Sequence, residues 1–193
     1  ERFGLGAPSD EDCFAPTRVT YKYFTADRKY LDLSDPADAP EDAFTYTVDG
    51  VEQPLVIRVE TGVINRGIFT ISMPEPLPAD ATELRPSPSA IDRWNKRLIY
   101  RFGGGCGTTY SQGFNLFGDP DPEVLAAGYA TATSTLNTFQ VACNDVLSAE
   151  TAMMVKEHFS EAYAPPELTL GEGGSGGAIQ QFMIAQNYPG ILD

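Results

Sequence analysis

Hydrophobic residues are distributed in two different ways along the chain. Between residues 44 and 73, β-branched and aromatic residues form short runs separated by hairpin-type turns, as in an antiparallel sheet. After residue 96, runs typical of strands alternate with segments whose apolar residues recur at helical spacing. This alternation predicts an α/β fold, with helices on both faces of a partial, parallel sheet and a β-rich N-terminal region before it.

The predicted strands are short, and they cover residues 19–24, 44–48, 55–59, 68–71, 97–102, 129–136 and 168–170. One helix is predicted between the last two of these strands, with Ser148 as its N-cap. A second helix is predicted to begin after Ser175 and to stop before Pro189. Its apolar positions are Ala178, Ile179, Phe182 and Ala185.

Proline-rich and acidic segments divide the chain. Residues 1–43 predict a surface arm with one strand, and residues 74–90 carry five prolines, which indicates a loop or linker. We therefore predict two parts. Residues 1–90 form a β-rich accessory layer, and residues 91–193 form the N-terminal half of an α/β domain.

The sharpest motif lies between the last strand and the last helix. It reads Gly173-Gly174-Ser175-Gly176-Gly177 and fits G-x-S-x-G, the nucleophile elbow of α/β-hydrolases. The turn forces a backbone conformation that a β-carbon resists, and its neighbours must be small so that strand and helix can approach each other. The motif therefore predicts that Ser175 is a nucleophile whose oxygen stands above the sheet.

Two other interpretations fit the same glycines. Ser175 could simply cap the helix. Alternatively, Gly171, Gly173 and Gly176 spell a dinucleotide-binding fingerprint, with Asp193 at the distance of a ribose-binding acid, as in an NAD-binding oxidoreductase. That fingerprint belongs in the first strand-to-helix turn of its unit, whereas several elements precede this one, so we favour the elbow and expect no cofactor.

A second glycine run follows the predicted strand at residues 97–102. An elbow serine needs a second oxyanion donor from such a loop, because a backbone N–H can approach a substrate oxygen closely only where no side chain intervenes. Residues 103–105 are all glycine. We predict that the N–H of Gly176 and that of Gly104 or Gly105 form an oxyanion hole.

Composition narrows the choice of partners. The net charge of −14 disfavours nucleic acid and anionic membrane surfaces, and no apolar run is long enough to span a bilayer. The three cysteines and one histidine have no zinc-type spacing, so no metal is expected. The three cysteines could form one disulfide and leave one cysteine unpaired, or all three could be buried thiols. Because the chain begins abruptly at Glu1, we expect a processed, secreted protein.

Several segments together resemble the tannase and feruloyl-esterase branch of the α/β-hydrolases, and related large secreted bacterial hydrolases. They are residues 94–98, 102–107, 128–130, 173–177 and 188–193. The resemblance implies a partial α/β-hydrolase sheet, Ser175 as nucleophile and an ester substrate. Tannase-like enzymes carry a cysteine just before the serine, where this chain has Gly174. Cys106 and Cys143 are therefore either paired with each other or free.

The sequence lacks part of a catalytic triad. In this fold the acid and then the histidine follow the serine, but His158 precedes Ser175 and should lie near the opposite end of the sheet. We therefore expect a segment beyond Asp193, as a second chain or fragment of the same protein, to supply both groups. The predicted function is a serine esterase, acting on a small-molecule or polymeric ester. A non-enzymatic binding module on a degenerate hydrolase scaffold is the alternative.

Overall fold

The computed structural model describes residues 3–11, 14–48, 50–80, 83–109, 111–114 and 117–193. Strands and helices alternate only in the second half, as the hydrophobic pattern predicts. The elements are β1 Arg18–Phe24, β2 Tyr30–Leu33, β3 Thr45–Val48, β4 Val51–Pro54, β5 Val56–Ile64, β6 Gly67–Pro74, α1 Pro88–Arg93, β7 Arg97–Gly103, α2 Pro122–Ala126, β8 Ala130–Thr138, α3 Asp145–Ala162, β9 Leu168–Glu172 and α4 Gly176–Asn187.

Seven strands form one sheet in the order β2-β1-β5-β6-β8-β7-β9, and β3 pairs with β4 in a separate hairpin. The pairs β7–β8 and β7–β9 are parallel, and the other pairs of the large sheet are antiparallel. The predicted α/β class is confirmed, although the parallel part comprises only these three strands. Parallel strands need crossover connections, and along the chain α2 lies between β7 and β8 and α3 between β8 and β9, so that α3 crosses over β7.

Helices cover both faces of the sheet, as predicted. On one face α1, α3 and α4 pack over the main core, which includes Ile71, Tyr100 and Phe159. On the other face α2 packs through Leu125 onto a smaller cluster that contains Ile57. Strand β8 is buried along its whole length, which suits its small and β-branched residues. The main core therefore lies between the sheet and α3, next to the ends of β7 and β9, where the glycine motifs begin.

The N-terminal region differs from the prediction. Instead of a surface arm and an accessory layer, β1, β2, β5 and β6 extend the same sheet that contains β7 and β9. Tyr21 and Phe24 of β1 are buried, because they point toward the sheet's neighbouring layers rather than into solvent. The described residues therefore share one continuous sheet across the proposed boundary at residue 90, and the two-part division stays a prediction.

Three helices also differ from the prediction. Helix α2 was not predicted, although the Asp121 side chain caps it and Pro122 follows. Helix α3 begins at Asp145, and Asn144 is its N-cap, because the Asn144 side chain accepts a hydrogen bond from the N–H of Leu147. Ser148 instead lies inside the helix and is fully buried. Helix α1 was not predicted, although Ser87 caps it and Pro88 occupies its first turn, a usual pairing at helix N-termini.

Candidate active site at the glycine-rich turn

Ser175 lies at a sharp turn between β9 and α4. Its φ of 56° and ψ of −123° belong to a region that residues with a β-carbon rarely adopt. The residue is exposed, and its side chain makes no capping hydrogen bond to α4. The structure therefore does not support the interpretation of Ser175 as a simple helix cap: the strain presents its hydroxyl to solvent.

Close backbone contacts explain the glycines around Ser175. A β-carbon on Gly176 would lie 2.1 Å from the carbonyl oxygen of Gly105, and one on Gly177 would lie 2.2 Å from that of Phe102. Gly173 is almost as tightly enclosed, at 2.4 Å from the same Phe102 oxygen. Gly174, in contrast, has no atom within 4 Å of such a position. Side chains are thus excluded at residues 173, 176 and 177 but not at residue 174.

The glycine loop after β7 lies directly against this turn. A β-carbon on Gly104 would lie 3.5 Å from the Cβ of Ser175 and 3.7 Å from the nitrogen of Gly176. The carbonyls of Gly103 and Gly104 accept hydrogen bonds from Phe139 and Gln140, at 3.1 and 2.9 Å. Among the described residues, no protein acceptor takes the N–H groups of Gly104, Gly105 or Gly176. The structure thus brings together Ser175 and the three glycines that the sequence singled out.

A disulfide closes the far end of the glycine loop. Cys106 and Cys143 are bonded, which joins the loop after β7 to the segment that leads into α3. Backbone hydrogen bonds reinforce the link: Gly107 donates to Phe139 at 2.7 Å, and Cys143 donates to Gly107 at 2.8 Å. The loop is therefore tied on both sides of its glycines. Cys13 lies outside the described residues.

Two glutamines of α4 hold the strand ends on either side of the turn. Gln180 is fully buried, and its Nε2 donates to the carbonyl of Gly103 at 2.8 Å. The Nε2 of Gln181 donates to Gly173 at 3.1 Å and to Gly177 at 3.0 Å. We did not predict either residue. The sequence offered one signal, two adjacent glutamines in the middle of α4. That signal points to the site only if the buried face of α4 is known.

That face is the reverse of the predicted one. The buried residues of α4 are Gly176, Gly177, Gln180 and Ile184. Ile179 and Phe182, which should have pointed into the core, are 55% and 75% exposed. The glycines must approach the carbonyl of Phe102, and this contact fixes the rotation of the helix. Helix α4 therefore exposes two large apolar side chains, and β9, which it contacts, pairs only with β7 among the described strands.

His158 lies away from the turn, but not at the opposite end of the sheet as the sequence predicted. Its partner Glu60 aligns through the strand register with Gly171, near the elbow end of β9, so the separation runs sideways across the sheet. Nε2 of His158 is 2.7 Å from Oε1 of Glu60, and the histidine ring packs 4.9 Å from that of Phe69, measured between centroids. Glu60 belongs to β5, which is separated from β7 by β6 and β8. Three strand spacings amount to about 14 Å. His158 therefore cannot take a proton from Ser175 in this arrangement.

Asp193 also lies at the wrong end of β9 for a nucleotide site. Its Oδ2 accepts a hydrogen bond from the N–H of Thr169 at 2.9 Å, near the start of the strand. Gly171, Gly173 and Gly176 lie toward the end of the strand and in the turn beyond it. A ribose-binding acid has to share one crevice with the glycine loop. The structure thus gives the dinucleotide hypothesis no support.

Comparison with known protein families agrees with this geometry. A tannase-like family of unknown function (DUF6351) matches residues 1–193. The chain belongs to this family. No curated protein and no solved structure matches it. Membership in a tannase-like family indicates a hydrolase-type scaffold, consistent with the predicted relationship to tannases.

None of the described helices is long and apolar enough to cross a membrane. Within the described residues, no group of histidine, cysteine, aspartate or glutamate side chains converges as a metal site.

Proposed function

We propose that this tannase-like protein is a serine hydrolase that cleaves carboxylic esters through an acyl-enzyme intermediate. The observation that carries the proposal is the conformation of Ser175, an exposed serine held at positive φ against a loop of free backbone N–H groups. Strained backbone at a nucleophile is a recurrent way to present a hydroxyl to a substrate. Family membership supports the hydrolase scaffold.

In this proposal the Ser175 oxygen attacks the ester carbonyl carbon while a base removes its proton. The N–H of Gly176, at the start of α4, and that of Gly104 or Gly105 donate to the oxyanion that forms. The bond to the alcohol oxygen then breaks, and the alcohol leaves with the proton. Water attacks the acyl-serine by the same route and releases the acid.

The base has to come from another segment. His158 is held by Glu60, and no other histidine is present in the chain. We propose that sequence beyond Asp193, as a continuation or a second chain of the same protein, supplies the aspartate and the histidine. The exposed Ile179 and Phe182, and the edge of β9 that pairs with no described strand, support this idea, because further elements could cover both.

Two properties of the whole protein belong to the same proposal. The disulfide between Cys106 and Cys143 suits an oxidising compartment, which supports secretion. The net charge of −14 favours a neutral or cationic ester over a nucleic acid or an anionic membrane. We therefore propose an extracellular enzyme that acts on a small-molecule or polymeric ester.

The test is labelling of the complete protein with a fluorophosphonate, in which the serine oxygen displaces fluoride from phosphorus. We expect labelling at Ser175, no labelling in Ser175→Ala, and a loss of esterase activity of at least about 10⁴-fold in that variant. Intact mass spectrometry with peptide mapping measures the first two results. An unlabelled protein without esterase activity would instead favour a non-enzymatic module on a degenerate hydrolase scaffold.

A further inference from the structure

A buried chain of neutral polar groups runs from the sheet to α4 beneath the turn. The hydroxyl of Tyr100 donates to Oδ1 of Asn137 at 2.7 Å, and Nδ2 of Asn137 donates to the Ser148 oxygen atoms O and Oγ at 2.8 and 3.0 Å. The Ser148 hydroxyl donates to Oε1 of Gln180 at 2.6 Å. The chain ends where Gln180 donates to the carbonyl of Gly103.

Each bond in this chain fixes the direction of the next. Tyr100, Asn137, Ser148 and Gln180 are all 0% exposed, so water cannot replace a lost partner. The Ser148 hydroxyl accepts from Asn137, and its only hydrogen points at Gln180. Rotating the Gln180 amide by half a turn would leave a buried donor, the Ser148 hydroxyl, and a buried acceptor, Oε1 of Gln180, without partners, which is unfavourable where water cannot replace them.

The fixed amide in turn orients a peptide unit of the glycine loop. The carbonyl of Gly103 and the N–H of Gly104 belong to one planar trans peptide, so they point in opposite directions. Gln180 and the backbone of Phe139 both hold that carbonyl toward the interior. The N–H of Gly104 must therefore point away from them, on the side where it has no protein acceptor.

We propose that Gln180 is a positioning residue that aims the N–H of Gly104 at the oxyanion, a role that rests on the hydrolase function proposed above. Glycine makes such a device necessary, because a loop of three glycines has no side chains to restrain its own peptide planes. Gln180 does not touch the substrate. It acts through the Gly103 carbonyl, and Ser148 with Asn137 keeps its amide in the donating orientation.

The decisive variants are Gln180→Met, which removes the amide, and Gln180→Glu, which makes the bond depend on pH. We expect Gln180→Met to lower kcat toward 4-nitrophenyl acetate by about 10²-fold at unchanged KM, because the oxyanion exists only in the transition state. In Gln180→Glu, burial raises the pKa of the new carboxyl. Its protonated form can still donate to Gly103, whereas its ionised form repels that carbonyl.

The ratio of kcat for Gln180→Glu to kcat for the unsubstituted protein should therefore fall at least about 10-fold as pH rises from about 5.5 to 8.5. A purely structural role would not produce this profile. Ser148→Ala should lower kcat as well. Its matched control is Thr151→Val, which removes another buried hydroxyl of α3, one that donates to Leu147 and does not contact Gln180. Thr151→Val should leave kcat unchanged.

The assays use the complete protein, and circular dichroism verifies that each variant is folded. If the unsubstituted protein reacts with the fluorophosphonate but Gln180→Met keeps its kcat within about twofold, the positioning role is wrong while the hydrolase proposal stands. A pH-independent ratio for Gln180→Glu would equally overturn it. If the unsubstituted protein neither reacts nor hydrolyses esters, both proposals fail.

Discussion

Two buried polar regions of this protein are built in opposite ways. The elbow site, which comprises residues 103–105, 173–177 and Gln180, contains only backbone groups, one hydroxyl and a neutral amide. The Glu60 cluster, which comprises Arg58, Glu60, His158 and Tyr163, is ionic. Arg58 is fully buried, and its Nη1 is 3.4 Å from Oε2 of Glu60 and 2.6 Å from the Tyr163 oxygen.

The comparison shows that titratable groups do not mark the candidate site here. A histidine paired with a buried glutamate has the appearance of a catalytic dyad, yet both carboxylate oxygens of Glu60 are already paired, Oε1 with His158 and Oε2 with Tyr163 and Arg58. Burial raises the pKa of Glu60, but hydrogen bonds from His158 and Tyr163 and the charge of Arg58 outweigh it, so the net shift is downward. The elbow site instead depends on dipoles that are fixed before any charge develops.

Glu60→Gln should have the largest effect on stability. It removes the carboxylate that forms an ion pair with the buried Arg58, and we expect the free energy of unfolding to fall by about 3 kcal/mol at neutral pH. Because the pKa of Glu60 is lowered in the folded state, its contribution is complete above the unfolded value of about 4.5 and is lost as pH falls further. Urea unfolding at several pH values measures both effects.

Glu75→Gln is the matched control for that experiment. Glu75 is also buried, and burial raises its pKa more than the hydrogen bonds from Ser87 and the charge of Arg58 lower it. Its ionised form therefore costs stability at neutral pH, and a neutral amide should be neutral or stabilising there. The difference should disappear in acid, where Glu75 is protonated. Equal losses in the two variants would show that the Glu60 cluster is not held by charge.

Glycine substitutions test the other region, with a smaller expected effect. Gly177→Ala places a methyl group against the Phe102 carbonyl, so we expect a loss of about 1–3 kcal/mol and a displaced Ser175. Gly174→Ala enters open space and should change stability by less than about 0.5 kcal/mol. Thermal unfolding of the two variants provides the comparison. Similar midpoints would mean that α4 does not pack on β7 as described.

The sequence was informative where the chain's own pattern decides the structure. Seven of the nine strands in the described residues were predicted, and their residue types lie within a few positions of each other, as do those of the turn at Ser175 and of the glycine loop. The short strands β2 and β4 were not predicted. Distant contacts decided the rest. Asn144 rather than Ser148 caps α3, because Ser148 is needed inside, against Gln180 and Asn137.

The rotation of α4 shows why part of the site escaped prediction. Hydrophobic periodicity assigned Ile179 and Phe182 to the core, but steric contact between Gly177 and Phe102 turns the polar Gln180 inward. Likewise, nothing local to residues 18–33 revealed that β1 and β2 join the large sheet, since the pairing of β1 with β5 spans about forty residues. Burial that arises from contacts between distant segments cannot be predicted from a short window of sequence.

The most direct test of the central claim is a crystal structure of the complete protein after reaction with a fluorophosphonate. The account predicts phosphorus bonded to the Ser175 oxygen, with the phosphoryl oxygen about 2.7–3.1 Å from the nitrogen of Gly176 and from that of Gly104 or Gly105. A phosphoryl oxygen that points to solvent, or a glycine loop that has moved away from it, would contradict the account.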